Sequence, residues 1–212
     1  MSEPFSLEGR FVHLLPMGLE HVDGLVDAAT NDRSTFTYTP VPWDRASMGA
    51  YVERAMARRE AGDQYPFVTW SVESQSLVGS TRFYDIACWD WTALHPGSAT
   101  LQRQGPDGAS IGYTWLQPSA QRSPVNTEAK LLMLDHAFDV WGVRRIRIQT
   151  DARNQRSRAA IARLGAMYDG VLRADMPGAD GTVRDSAVFS IVADEWPANR
   201  RRLADRMKRT VG

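Results

Sequence analysis

The sequence contains little cysteine, no excess of either charge and no long apolar run. Cys88 is the only cysteine in 212 residues, which excludes an internal disulfide, and the four histidines lack the spacing of zinc ligands. Lysine plus arginine and aspartate plus glutamate number 25 each, so no overall positive field attracts nucleic acid or an anionic membrane. Nowhere do about 18 apolar residues follow one another, as a transmembrane helix requires. We therefore expect no metal, no nucleic acid and no membrane partner.

The remaining composition is that of an ordinary globular protein. Hydrophobic residues make up 43% and charged residues 24%, and 212 residues suffice for one domain with a substantial core. The N-terminal MSEPFSLEGR lacks a signal-peptide pattern, which together with the single cysteine predicts a cytoplasmic protein. An idle thiol is favoured over a nucleophile for Cys88, because no His or Asn signature accompanies it. We expect residues 1–196 to form a single domain and residues 197–212 a basic helical tail.

Hydrophobic periodicity predicts an α/β (α+β) architecture. The predicted order is β-α-α-β-β-β-α-β-α-β-β, which differs from the alternating units of Rossmann folds. In VRRIRIQT, Ile146 and Ile148 alternate with polar residues, as in a strand buried on one face. The segment Cys88–Gly108 predicts a long excursion between two strands. Predicted strands begin near Arg10, Tyr65, Leu77, Ser110, Val143, Asp169 and Val183, and predicted helices near Gly18, Ala46, Thr127, Asn154 and Pro197.

The first candidate ligand-binding segment follows the predicted strand Ser110–Gln117 and leads into the helix that begins near Thr127. Backbone N–H groups at a helix start carry the positive end of the helix dipole and bind anions. The loop Gln121–Asn126 has no glycine, although glycines usually allow the backbone to approach a phosphate closely. Arg122 and the hydroxyls of Ser123 and Thr127 can compensate for that. Taken alone, the segment fits a plain connection and a cofactor loop equally well.

The second candidate is the start of the helix Asn154–Leu164. Asn154 is predicted to cap this helix, which puts Ser157 in its first turn. Ser157, Ile161 and Leu164 share the apolar face of the helix. A serine hydroxyl near the positive end of the dipole can stabilise or protonate a leaving thiolate. Spacing alone favours the alternative, in which the hydroxyl bonds a backbone carbonyl or helps the cap.

Together, the two segments resemble the GNAT acyltransferases, in particular their ribosomal-protein N-acetyltransferase (RimJ/RimL-like) branch. The resemblance covers residues 10–196, and its most specific part is Asn154-x-x-Ser157 followed by Leu164-Gly165-Ala166. It implies a mixed, mostly antiparallel twisted sheet with helices on both faces, splayed between strands 4 and 5 to admit acetyl-CoA. It also implies a reaction without metal, in which Ser157 is catalytic and assists the departing thiolate. The cofactor-binding residues that it implies are Leu116, Gln121, Arg122, Ser123, Val125, Asn126, Thr127, Asn154 and Ser157.

The sequence departs from the family pattern at two places. The family's loop is usually rich in glycine, whereas Arg122 and Pro124 stand where glycines are common. Many members carry a glutamate base at the start of the fourth strand, and the matching position here is Ser110, which cannot act as a base near pH 7. Either no protein base is needed or one lies elsewhere, with Asp85, His95 and Asp151 as candidates.

The missing glutamate bears on the choice of acceptor. An α-amino group has a pKa of about 7.7–8.0 and is partly neutral near pH 7, whereas a lysine with a pKa of about 10.4 is almost wholly protonated. We therefore expect an α-amino group of a protein, peptide or aminoacyl conjugate, attacking directly in a ternary complex. A small-molecule amine, such as an antibiotic or metabolite, and a non-catalytic acyl-CoA-binding module are the alternatives. The resemblance is compatible with a homodimer, and Tyr38, Trp43, Trp89 and Trp91 are candidates for the acceptor pocket or for ordinary packing.

Overall fold

The computed structural model describes residues 3–91 and 105–210 of the chain. Within these residues the strands are β1 (Leu7–Glu8), β2 (Val12–Pro16), β3 (Tyr65–Ser71), β4 (Ser76–Ala87), β5 (Gly108–Leu116), β6 (Arg145–Asp151), β7 (Met167–Pro177) and β8 (Val183–Val192). The helices are α1 (Val22–Thr30), α2 (Arg45–Glu60), α3 (Pro124–Asp135), α4 (Gln155–Arg163) and α5 (Trp196–Thr210). A π-helical turn, His136–Val140, extends α3.

All eight strands form one sheet in the order β1-β2-β3-β4-β5-β6-β8-β7. Only β5 and β6 are parallel, so the predicted mixed, mostly antiparallel sheet is confirmed. Their pairing covers Gly108–Ile111 of β5 and Arg145–Ile148 of β6, although both strands continue beyond it. β5 and β6, which are the predicted strands 4 and 5, therefore part after Ile111, as predicted. Within the described residues, Gly112–Leu116 has no strand neighbour on that side.

Helices cover both faces of the sheet because the strands alternate apolar side chains between two cores. The larger core joins buried residues of α3, α4 and α5 to the sheet, among them Met133, Ile161 and Leu203. The smaller core joins α1 and α2 to Val68 and Trp115. Strand β6 shows the predicted alternation, since Ile146 and Ile148 are buried and the residues between them are more exposed.

Several elements differ from the sequence-based bounds. Helix α3 begins at Pro124, three residues before the predicted start, because Ser123 accepts a hydrogen bond from the Val125 N–H and proline suits the first helical position. Strand β7 is longer than the predicted Asp169–Arg173, since it pairs with β8 along most of its length. The two-residue strand β1 was not predicted.

Asp107 ties together the two described ends of the predicted excursion. Its buried carboxylate accepts hydrogen bonds from the Trp89 N–H (2.8 Å), the Trp91 indole (3.0 Å) and Arg144 (3.1 Å). Burial raises the pKa of Asp107, but the hydrogen bonds from Trp89, Trp91 and Arg144 outweigh it, and the pKa lies below its ordinary value. Asp107 is therefore a structural anchor rather than a free acid.

Glu128 anchors the turn between β1 and β2 to α3. Its buried carboxylate accepts the backbone N–H groups of Arg10 (3.0 Å), Phe11 (2.6 Å) and Val12 (3.0 Å). We expect Glu128→Ala to lower the free energy of unfolding by about 3 kcal/mol in urea titration, because buried donors lose a charged acceptor. Glu128→Gln keeps one acceptor and should lose less, and Ala at the exposed Glu73 should change little. Equal losses for Glu128→Ala and Glu73→Ala would contradict this anchor.

Candidate active site

The opening between β5 and β6 is flanked by two helix starts. Because β5 and β6 are parallel, the loops that follow them leave the sheet at the same end and lead into α3 and α4. The predicted cofactor residues divide between these two sides. Residues 116–127 lie on the β5–α3 side, and Asn154 and Ser157 lie on the β6–α4 side.

The β5–α3 loop has the backbone form expected of a glycine-rich loop, although it contains no glycine. Arg122 has a φ of 62°, in the left-handed region that glycine favours, and its side chain is exposed. In the described part of the chain, the N–H groups of Arg122 and Ser123 make no hydrogen bond. Two unengaged donors and a cation next to a helix start suit a phosphate. The residues present thus fit the pyrophosphate of a coenzyme A.

The other predicted residues of this loop have different surroundings. Leu116 and Val125 are buried in the larger core, so they form the buried base of the loop. The Gln121 side-chain amide donates to the Leu116 carbonyl (2.8 Å) and to the Thr35 hydroxyl (2.8 Å), which fixes it as a brace of the loop. Asn126 and Thr127 are half-buried in the first turn of α3.

The start of α4 has the predicted cap. Asn154 accepts a hydrogen bond from the Ser157 N–H (3.0 Å), and Ile161 and Leu164 are buried on the same helix. The Ser157 hydroxyl is half-buried and has no hydrogen-bond partner among the described residues. It is therefore free to donate to a group that enters the cleft.

Thr35, in the connection between α1 and α2, contacts both helix starts. Its hydroxyl accepts from Gln121, and its carbonyl accepts from Arg156 (2.8 Å). The segments before α3 and at the start of α4 thus face each other closely enough to share one residue. Ring contacts of the described residues join Trp89 to Trp91, but join neither to Tyr38 or Trp43. Of the four aromatic candidates for the acceptor pocket, the structure thus brings only Trp89 and Trp91 together among the described residues.

Of the two candidate bases that the structure describes, Asp85 contacts Ser110, at the position of the family's glutamate. Its carboxylate accepts from the buried Ser110 hydroxyl (3.3 Å) and from Arg147 (2.7 Å), and its side chain is 52% exposed. Asp151 is buried, and hydrogen bonds from Arg153 hold its pKa below the ordinary value, which makes it a poor base. His95 lies outside the described residues.

One polar cluster was missed from the sequence. Arg82 on β4 is 4% exposed and lies between the rings of Tyr51 (4.5 Å) and Tyr113 (4.3 Å). Tyr84 lies at the Gly112 backbone, and burial raises the pKa of its phenol to about 12. The signal in the sequence was an arginine between Thr81 and Phe83, at a strand position that faces the smaller core.

Within residues 3–91 and 105–210, no three or more His, Cys, Asp or Glu side chains are arranged to hold a metal ion. The helices of this part of the chain are too short or too polar to span a membrane.

The comparisons with known proteins identify the family. Residues 12–167 match the model of the acetyltransferase (GNAT) domain. A GCN5-related N-acetyltransferase from Brucella melitensis is 26% identical, with a TM-score of 0.81 over 97% of this chain and 86% of that chain. Mycobacterium smegmatis RimJ, in complex with CoA-disulfide, is 22% identical, with a TM-score of 0.77 over 96% and 95% of the chains. The microcin C7 self immunity acetyltransferase MccE, in complex with acetyl-CoA and AMP, is 18% identical, with a TM-score of 0.69 over 87% and 93%.

The fold and the cleft thus define an N-acetyltransferase. The chain belongs to the GNAT family, whose members transfer an acetyl group from acetyl-CoA to an amine. No curated protein sequence matches it closely enough to add to this identification.

Proposed function

We propose that the protein acetylates a primary amine with acetyl-CoA in a ternary complex, and that its preferred acceptor is an α-amino group, as in the RimJ/RimL-like branch. The parting of β5 and β6 between two helix starts carries this proposal. Arg122, in a glycine-like conformation, lies on one side, and Ser157, with a free hydroxyl, lies on the other.

The β5–α3 side is suited to the nucleotide end of the cofactor. The N–H groups of Arg122 and Ser123 and the first turn of α3 would hold the pyrophosphate, with the Arg122 guanidinium neutralising its charge. Gln121 would stabilise the loop through Leu116 and Thr35 rather than contact the phosphates. On the other side, Asn154 would orient the first turn of α4.

The chain's own groups can perform the transfer. When bound, acetyl-CoA supplies an acetyl group activated as a thioester. Backbone N–H groups of Gly112–Leu116, which no strand covers on the cleft side, would stabilise the negative charge that develops on the carbonyl oxygen. The amine nitrogen forms the new C–N bond as the C–S bond breaks. Ser157 would donate a proton to the departing sulfur, and solvent would restore it.

The surplus proton of the amine would leave through Asp85 or through water. Asp85 supplies a carboxylate beside Ser110, the position at which many family members carry glutamate. Its contact with Ser110 supports a role in water-mediated proton removal. An acceptor that is already partly neutral would depend least on this base.

The test of this function is release of free thiol from acetyl-CoA with a panel of amines. We expect turnover with peptide α-amines near pH 7 and much slower turnover with lysine side chains, the gap narrowing as the pH rises towards 10. A lysine preference near pH 7 would overturn the α-amine assignment. Cofactor binding by calorimetry without thiol release would favour a non-catalytic binding module.

The role of Ser157 can be tested separately from cofactor binding. We expect Ser157→Ala to lower kcat about 10-fold, because the thiolate loses a donor, while the Kd for coenzyme A changes little. Alanine at the exposed Ser74 is the matched control. If kcat is unchanged in Ser157→Ala, the Ser157 hydroxyl does not assist the departing thiolate and the residue serves only in the helix cap.

A further inference from the structure

Arg82 is a buried guanidinium without a carboxylate partner. It is 4% exposed and takes part in no ion pair among the described residues. Its Nη1 donates to the Gln64 side-chain oxygen (2.9 Å), whereas its buried Nε has no hydrogen-bond partner. Burying a charge is costly unless it is paired, and an arginine offers five donors in a planar fork. Among the described residues, no side chain supplies Arg82 with an anion.

The neighbours of Arg82 stabilise its charge without supplying that anion. The Cζ atom of Arg82 lies over the rings of Tyr51 (4.5 Å) and Tyr113 (4.3 Å), which is cation–π geometry. Gln64 contributes a neutral oxygen to Nη1. Among the described residues, Nε has no acceptor, and the edge of a guanidinium is where a carboxylate or phosphate binds in bidentate fashion.

The position of Arg82 relates it to the acetyl-transfer site. Arg82 on β4 pairs with Gly112 on β5, the first residue beyond the parallel pairing with β6. Residues opposite each other on antiparallel strands lie about 5 Å apart. An anion bound at Arg82 and an amine that attacks at the β5 backbone would therefore lie a few bonds apart in one acceptor molecule. Tyr113, whose ring contacts the guanidinium, is 48% exposed, so Arg82 adjoins a side chain that is open to solvent.

We propose that Arg82 binds an anionic group of the acceptor, so that the enzyme prefers acceptors in which a carboxylate or phosphate lies close to the amino nitrogen. This inference rests on the proposed acetyl transfer and narrows its acceptor. Arg147, the other guanidinium near this site, is engaged by Asp85 and by the Ser110 hydroxyl, which leaves Arg82 as the anion receptor.

The kinetic test compares matched acceptors that differ only in the anion. Glycine is paired with glycinamide, and phosphoethanolamine with ethanolamine, and each rate is divided by the fraction of that amine that is neutral at the assay pH, because a nearby anion raises the pKa of an ammonium group. We expect kcat/KM to favour the anionic member about 30-fold in the wild type, mainly through KM, and to favour neither in Arg82→Gln. Gln at Arg54, exposed on α2, is the matched control and should keep the preference.

A second test needs neither turnover nor a well-folded glutamine variant. In protein labelled with ¹⁵N-arginine, the Nε–H signal of Arg82 is assigned by its loss in Arg82→Lys. With coenzyme A present, glycine or phosphoethanolamine should shift this signal to saturation, whereas glycinamide and ethanolamine should not. The probe that saturates the shift at the lower concentration shows whether Arg82 prefers a carboxylate or a phosphate.

The possible failures are separable. An Arg82 signal that responds to no anion, or an anion preference that persists in Arg82→Gln, overturns the receptor role. If no thiol is released but the Arg82 signal shifts with the anionic probes, the proposed acetyl transfer is overturned and the anion site stands.

Discussion

Replacement of Asp85 by asparagine is expected to lower kcat/KM for amine acetylation about 100-fold near pH 7, within the usual range for loss of a general base. The introduced amide would be nearly isosteric with the carboxylate and could still accept a hydrogen bond from Ser110, but it could not take a proton. The loss should shrink as the pH rises above the pKa of the acceptor, because a neutral amine needs no base before it attacks. Initial rates from pH 6 to pH 9.5 would measure this dependence.

Arg147→Gln is the matched control for Asp85→Asn. It removes the 2.7 Å ion pair and leaves the carboxylate, so its effect on rate should be smaller and nearly independent of pH. If Asp85→Asn lost the same factor at every pH, Asp85 would merely position its neighbours. If it lost nothing, water alone would accept the proton.

The free energy of unfolding is expected to rise by about 1.4 kcal/mol per pH unit above pH 7 on account of Lys130. Lys130 is 4% exposed, and its ammonium donates to the hydroxyls of Thr81 (2.7 Å) and Thr114 (2.8 Å). Burial lowers the pKa of Lys130 from 10.5 to about 7. Between these values the unfolded chain holds a proton that the folded chain has released. Raising the pH therefore favours the folded state, and the gain is absent below pH 7.

Lys130→Met removes this titration. Methionine has a similar length, and the two threonine hydroxyls still bond each other (2.9 Å). Urea unfolding from pH 6 to pH 9 should show the variant stabilised relative to the wild type at the acidic end, with the difference falling by roughly 2–3 kcal/mol towards pH 9. Lys130 and the exposed Lys208 are the only lysines in the chain, so Lys208→Met is a complete control. Parallel pH profiles for wild type and Lys130→Met would refute the buried titration.

The order of the larger elements could be predicted because their side chains repeat with clear periods. The alternation at Ile146 and Ile148 predicted a strand, and both residues are buried on β6. The start of α3 was predicted three residues late, at Thr127, although serine before proline is a helix-start signal. Strand β1 was not readable, because two residues show no period and form a strand only by pairing with β2.

The features of the candidate active site likewise divide into those that a local sequence pattern predicts and those that it does not. The cap of Asn154 on Ser157 follows from local spacing, and the structure shows it. The contact between Asp85 and Ser110 joins β4 to β5 across 25 residues, so no local pattern could predict it. Nor could a pattern show that Arg122 adopts a conformation that glycine usually takes, because arginine itself does not favour it. Arg82 lies in a segment that was predicted to be a strand. That no carboxylate among the described residues pairs with it is visible only in the packed molecule.

The anchor at Asp107 also bears on how this end of the sheet is held. Asp107 accepts hydrogen bonds from Trp89, Trp91 and Arg144, so one carboxylate joins the end of β4 to the beginnings of β5 and β6. A single substitution there would loosen three strands together, so Asp107 tolerates less variation than residues whose contacts stay within one strand.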